Sequence, residues 1–497
     1  MAFAACIPAR LVLWVLVFSG FAINYMVRIN INIAIVSMVI ERSSGSSNEV
    51  AIAECATKNN LTLEVKNITL LPVNITKQIT NGSKTFDWNE QEQNLVLGAF
   101  FWTMWITQLP GGILAQRYGS KRVFGLTQLL SVILNFLVPY SVTWGYQGLV
   151  VIRLLQGFFN GFTWPSMNPL ISQWVPPAER SKFMSAYLGS SLGAAVTFPL
   201  YAMLMSWYGW EAVFYFTGVA GTVWFLGWWL LVFDTPRKHP RISERELEYI
   251  ERKLGTSVHT KTKLSTPWCA ILTSGPVWLC TLAQFGAMWG LFTLLIQAPT
   301  YFKFIHGFGI QMTGLLSGIP HLSRTVFSLL YSVLADCLLQ QKILETTAVR
   351  KFATFVGVML AGGCMLGLAF MGCNSTGAIV LLTISTALNG AISSGALAAT
   401  VDLSPNYSGV VFGIVGMVSV FPGFISPAVV GYLTNKNQSS SQWRLVFLIG
   451  AGIQLVTSFL FIAFGSSETQ KWNTPASSDD VSEKTRNKTR FTVTAVK

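Results

Sequence analysis

The sequence predicts an all-α integral membrane protein of twelve transmembrane helices, arranged as two six-helix bundles. Three observations lead there. Only 11% of the 497 residues are charged while 52% are hydrophobic, and the mean hydropathy is +0.50; a soluble chain carries about 25% charged residues. The charges crowd into short stretches between apolar runs of roughly 18 or more residues, each able to cross about 30 Å of hydrocarbon as a helix. These runs fall into six, a polar break, and six more. Barrel strands would instead alternate over about ten residues.

The expected spans are 11–40, 93–116, 123–142, 147–174, 183–206 and 210–233, then 272–302, 312–336, 351–372, 378–401, 408–433 and 443–465. Residues 1–23 imitate a signal peptide, but the apolar stretch runs on past Arg28 to Ile40 and reads as the first span. The resulting units are a first bundle (1–233), a polar linker (234–271), a second bundle (272–465) and a polar, basic tail (466–497) expected to be disordered.

The first loop, 41–92, carries four N-x-S/T sequons at Asn60, Asn67, Asn74 and Asn81. Glycosylation needs a lumenal acceptor, so this loop is expected to face outward. Arg117, Lys121 and Arg122 follow span 2, Arg180 and Lys182 follow span 4, and Lys342, Arg350 and Lys351 follow span 8. Positive residues thus mark alternate connections, which places both termini in the cytoplasm. The same rule accounts for the net charge of +13 without a nucleic-acid partner. In the linker, Ser243 and Glu246 have capping-box spacing, and Leu247, Ile250 and Leu254 share one face of a short helix expected to bridge the halves along the membrane surface.

Seven cysteines show no CxxC pair and no zinc spacing. Cys55 and Cys373 both fall in outward connections and could pair. No GxxxxGK[ST] occurs, so ATP drive has no support. Glycine-rich stretches such as 362–372 and Gly189–Gly193 read as close-packing seams.

Residues 112–122, GILAQRYGSKR, resemble the major facilitator signature G-x-L-A-D-R-x-G-x-K/R-R through Gly112, Arg117, Gly119 and Arg122; Gln116 replaces its aspartate, while the second half keeps Asp336 at the corresponding turn. NYMVRININIAIVSMV (24–39), IRLLQGFFNGFTWPSMNPLISQWVPPAERSK (152–182), DTPRKHPRIS (234–243) and VDLSPNYSGVVFGI (401–414) are similar to the anion:cation symporter family of that superfamily, which includes sodium/phosphate cotransporters, vesicular glutamate transporters and sialin. The likeness runs from about residue 11 to 470 and leans toward the branch labelled inorganic phosphate cotransporters. It implies the major facilitator fold, with substrate near the midplane between two parallel repeats.

An arginine at a helix centre costs roughly 2.5–3.5 kcal/mol on insertion scales, so it normally faces a cavity or a partner. Arg28 lies mid-span in span 1 with no acid nearby, Arg153 more than a turn inside span 4, and Arg324 about a dozen residues into span 8. Their planar forks suit carboxylate or phosphate, so all three are candidate substrate ligands; the alternative is a structural ion pair or snorkelling. Arg28 and Arg153 match arginines of the resembled family, whereas Arg324 matches none. Asn160 and Asn168 stand where the family often has an acid and a histidine, and Ala287 where the glutamate branch has an arginine. Proton coupling by that route is therefore not expected, which leaves sodium or membrane potential. His321 is the one histidine deep in a span and could titrate, although a packing role is the plainer reading.

The expected function is secondary transport of a small inorganic or organic anion by a monomer in the bilayer, with no cofactor beyond sodium as a possible coupling ion. The alternatives are a proton-coupled exporter of acidic sugars or organic anions, and a transporter-shaped sensor without flux. An enzyme is not expected, for no metal spacing or nucleophile–base pair occurs.

Overall fold

A computed structural model describes residues 8–40, 54–55, 85–176, 179, 183–254, 266–435 and 438–473. The four loop asparagines 60, 67, 74 and 81, the basic residues Arg180 and Lys182, and the tail beyond 473 lie outside the described residues. Among the described residues, ten helical segments are long and apolar enough to cross a membrane: Ala9–Met38, Ser120–Trp144, Ser185–Tyr208 and Glu211–Leu231 (spans 1, 3, 5 and 6), then Gly275–Phe304, Ile310–Gln340, Thr346–Leu368, Ser375–Leu403, Ser408–Thr434 and Ser440–Phe464 (spans 7 to 12). Glu90–Tyr118 takes the place of span 2, and Tyr146–Gly161 with Thr163–Trp174 that of span 4. These two are the more polar, and both contribute buried polar side chains to the interior: Asn94 and Thr107 from one, Arg153, Gln156 and Asn160 from the other.

The two ends of the molecule differ in chemistry. At one end Cys55 and Cys373 form a disulfide; the other carries Arg117, Lys121, Arg122 and the linker helix Glu244–Leu254. They are called here the disulfide end and the basic end.

Close backbone approaches set the helix order in the first bundle. A Cβ on Gly157 would stand 1.8 Å from the carbonyl oxygen of Phe100, and one on Gly161 2.2 Å from that of Met104, so spans 4 and 2 touch backbone to backbone. Gly189 and Gly193 do the same against Phe18 and Ala22, laying span 5 along span 1. In the turn between spans 2 and 3, Gly119 has φ +91° and Asp234 fills the room a side chain would need. Asp234 in turn accepts from the Lys121 N–H at 2.8 Å, capping span 3. That is a physical reason for this signature glycine.

Apolar packing shows where the bundles meet. Ile29–Val39 of span 1 share one buried cluster with Phe100 and Phe101 of span 2, Phe292, Leu295 and Ile296 of span 7, and Val420 of span 11. Hydrogen bonds from Gln297 to Asn94 (2.6 Å) and from Asn32 to the Leu295 carbonyl (3.4 Å) close the same end. Toward the basic end the clusters separate: one holds only first-bundle and linker residues, from Ala9 to Ile250, and two hold only second-bundle residues. Among the described residues, the buried apolar packing shared by the two bundles thus lies toward the disulfide end.

Three expectations need correction. The linker helix does not bridge the halves: among the described residues it docks on the first bundle, with Ile250 in that core and Tyr249 donating to Glu179 at 2.6 Å. Its capping box is half formed. Ser243 Oγ accepts from the Glu246 N–H at 3.2 Å, but the Glu246 carboxylate turns away to cap the start of span 1 through the Ala9 and Arg10 N–H groups (2.9 and 3.1 Å) and to pair with the Arg10 side chain. The tail is ordered from residue 466 through Asn473, because Asn473 Oδ1 accepts from Ser404 Oγ and the Asn406 N–H at 3.1 and 3.0 Å. The Cys55–Cys373 pairing, by contrast, is present.

Candidate anion site

Arg28 and Arg153 meet in the interior of the first bundle, 4% and 1% exposed. Arg153 donates through Nη1 to the Val27 carbonyl (3.1 Å) and Gln156 Oε1 (3.2 Å), and through Nη2 to the Arg28 carbonyl (2.8 Å). Arg28 Nη2 donates to Asn160 Oδ1 at 3.1 Å and, more weakly, to Asn24 Oδ1 at 3.5 Å. Both guanidiniums lie over the Phe100 ring, and Arg28 also faces Tyr25 with its centroid 4.5 Å away. Neither arginine takes part in any ion pair among the described residues. Like charges thus sit side by side without a carboxylate, an arrangement costly in isolation.

The amides around them are oriented by those bonds. Gln156 and Asn160 each spend the oxygen on an arginine, so each must turn its NH₂ elsewhere. Four buried donors are left with no acceptor among the described residues: Arg28 Nε, Arg153 Nε, Gln156 Nε2 and Asn160 Nδ2. An unsatisfied buried polar group costs about 1–3 kcal/mol. The unsatisfied atoms of this cluster are all donors, which makes it complementary to a ligand that offers acceptors.

Arg324 stands on the second bundle, half-buried, donating through Nε to Asn389 Oδ1 (3.2 Å) and through Nη1 to Ser191 Oγ of span 5 (2.8 Å). Asn389 is held by its own bond to the Ala287 carbonyl at 2.9 Å. The remaining sequence candidates divide. Asn160 belongs to the cluster, as an acceptor for Arg28. Asn168 does not: it is exposed on the helix beyond the break at Phe162. His321 is buried and stacks on Phe198 of span 5, centroids 6.0 Å apart. Asp336, Arg117 and Arg122 are exposed at the basic end. Sequence reasoning missed Asn24, Tyr25, Gln156, Ser191 and Asn389. Gln156 and Asn160 lie three and seven residues after Arg153, on its helix face, and that spacing was a usable signal.

Two six-helix bundles that meet over a buried, carboxylate-free group of arginines define a class, the polytopic membrane carriers. The family model of the Major Facilitator Superfamily matches residues 17–427. Human sialin is 35% identical over 468 residues, covering 94% of this chain and 91% of its own. Human vesicular glutamate transporter 2 is 33% identical over 473 residues, covering 94% and 76%. The chain belongs to the Major Facilitator Superfamily, among the anion:cation symporter relatives of sialin and the vesicular glutamate transporters. Solved structures agree on the fold: a bacterial homolog of the lysosomal transporter Spinster, inward-facing and unoccupied, superposes with a TM-score of 0.64 at 13% identity, covering 93% of this chain and 99% of that one. A D-xylose-proton symporter does so with 0.60 at 15%, covering 92% and 100%.

Proposed function

We propose that the protein is a secondary transporter of small anions that works by alternating access. The observation that carries this reading is the set of unsatisfied buried donors on Arg28, Arg153, Gln156 and Asn160: these N–H groups and two positive charges are complementary to a carboxylate or phosphate. Arg28 and Arg153 hold the anion, and Arg324 adds a third positive group from the facing bundle. Two bundles whose shared apolar packing lies toward one end have the architecture that rocking about a central site requires. The relatives' printed names, among them a glutamate transporter, support an anionic solute.

Coupling by sodium or by membrane potential fits the residues better than coupling by protons, since asparagine at 160 neither takes up nor releases a proton. An anion moving toward positive potential gains about 2.3 kcal/mol per charge per 100 mV. Basic residues at one end and a disulfide at the other support cytoplasmic termini, with Cys55 and Cys373 on the oxidising side. Uptake into proteoliposomes over an anion panel, with sodium, pH and potential imposed separately, tests the reading. Arg28→Gln and Arg153→Gln are expected to abolish saturable uptake. Unchanged uptake in both variants sinks the proposal, and binding without accumulation replaces it with a sensor.

A further inference from the structure

Spans 2 and 11, one from each bundle, run antiparallel in contact. A Cβ on Gly431 would stand 2.8 Å from Asn94 Cβ, and one on Gly98 3.4 Å from Phe424 Cα. Alongside these two points the helices leave a cavity of about 190 Å³. An apolar cavity of about 150 Å³ takes up benzene, so this one has room for the body of a ligand. It lies in the disulfide half of the molecule, for Gln91 and Asn94 stand at the start of span 2 and Tyr432 at the end of span 11. Trp102 and Phe424 meet edge to face at its inner end, ring centroids 6.5 Å apart. The mouth opens sideways: Trp102 is 45% and Tyr432 75% exposed, both on helices that span the bilayer. None of the central arginines lines it.

The lining selects among the amphiphiles of a bilayer. No charged residue lines the cavity among the described residues, so a phospholipid headgroup finds no cation there. Polar side chains come from Gln91, Asn94 and Tyr432, all toward the disulfide end. Asn94 is already engaged, donating to the Glu90 carbonyl at 2.8 Å and accepting from Gln297 of span 7 at 2.6 Å. Gln91 and Tyr432 remain, enough for one hydroxyl. From Gln91 to Trp102, eleven residues at about 1.5 Å rise make roughly 16 Å, close to half of a hydrocarbon core about 30 Å thick. Gly98, Ala428 and Gly431 leave the wall no relief beyond a methyl group, a surface suited to a flat, rigid ring system. The segment 430–436 also has the V-x-Y-x3-K spacing of sequences proposed for sterol contact.

We propose that this cavity binds a membrane sterol, with its hydroxyl at Gln91 and Tyr432 and its ring face on Gly98 and Gly431, in contact with both bundles. A sterol held by spans 2 and 11 together favours the arrangement in which they pack here, and that difference in affinity lets membrane composition bias the bundles. The binding stands apart from the anion-transport reading; only its consequence for uptake rests on it.

The test labels the full-length protein, in phosphatidylcholine vesicles, with a diazirine analogue of cholesterol and maps the adducts by peptide mass spectrometry. Adducts are expected on both 91–102 and 424–432, saturating with the analogue and suppressed by unlabelled cholesterol. Ala428→Phe fills the cavity from an exposed lining position. It is expected to lower this labelling by about tenfold or more, the affinity equivalent of burying one apolar side chain. Val456→Phe, on the exposed face of span 12, leaves it unchanged. Labelling of the two segments no stronger than that of other lipid-facing helices overturns the proposal. So does labelling of only one of the two, or undiminished labelling in Ala428→Phe. Suppression by palmitate as effective as by cholesterol replaces the sterol with an acyl chain. Should Ala428→Phe fail to emerge monodisperse, Ala428→Leu is read in the same way. Full uptake by Arg28→Gln would overturn the anion reading and leave this labelling untouched.

Discussion

Arg153 on span 4 donates to the main-chain carbonyl of Arg28 on span 1 at 2.8 Å. With its second bond, to the Val27 carbonyl, one guanidinium grips two successive carbonyls of the neighbouring helix and a glutamine of its own. The arrangement fixes the separation of spans 1 and 4 and brings two positive charges together with no acid paired to either among the described residues.

Arg153→Lys therefore tests geometry apart from charge. An ammonium is a point charge on a flexible stem and does not reproduce a planar fork that spans both carbonyls and Gln156. Uptake is expected to fall by about tenfold or more, the cost of losing a charge-assisted bond, with a melting temperature lowered by a few degrees. Wild-type uptake and stability in this variant would show that only the charge matters.

Asn160→Asp places a carboxylate where Arg28 now finds an amide oxygen. The new acid satisfies Arg28 internally and competes with the substrate, so KM for uptake at neutral pH is expected to rise about tenfold or more. Protonating the introduced carboxyl restores a neutral acceptor, so acidification lowers KM again in the variant and not in the wild type. A KM at neutral pH equal to that of the wild type rules out Arg28 as a substrate ligand.

Helices and arginines were legible in the sequence for one reason: inside a long apolar run, a charge is a conspicuous exception. Their partners were not. Asn24 bonds to Gln128, 104 residues away, and Arg324 to Ser191, 133 residues away; amides and hydroxyls are common in apolar helices, and nothing local marks which pair meets. Glu246 misled for a related reason. Its spacing from Ser243 satisfies a local rule, but the uncapped start of span 1 offers two backbone donors and an arginine, and the carboxylate goes there. Gly119 was visible as part of a signature, yet its cause, the Asp234 carboxylate packed where a side chain would be, lies more than a hundred residues on.

Cys55 and Cys373, 318 residues apart, join the first loop to the connection between spans 9 and 10. Glu54 beside it accepts from the Ser440 N–H and hydroxyl at 2.7 and 2.9 Å, at the start of span 12. In Cys55→Ser the freed Cys373 is expected to react with a membrane-impermeant maleimide on intact cells or on outside-out vesicles, whereas the wild type does not. Labelling that appears only after permeabilisation would reverse the proposed orientation.

His306, in the connection between spans 7 and 8, is pushed down to about 4 by burial. Its ring sits edge-on to Tyr301 and stacked on Phe308, with Nδ1 3.0 Å from Ser375 Oγ. The folded protein therefore keeps this histidine neutral to about pH 4, while the unfolded chain takes up a proton below about pH 6.5. Since the unfolded state binds more protons in that interval, this site's contribution to stability is complete above about 6.5 and drains away as pH falls toward 4. His306→Asn removes the titration and retains a polar partner for Ser375. Between pH 7.5 and 4.5, the unfolding temperature of the wild type in detergent is expected to drop further than that of the variant. Equal drops would mean that His306 is protonated in the fold at pH 4.5, and that its aromatic surroundings do not exclude the charge.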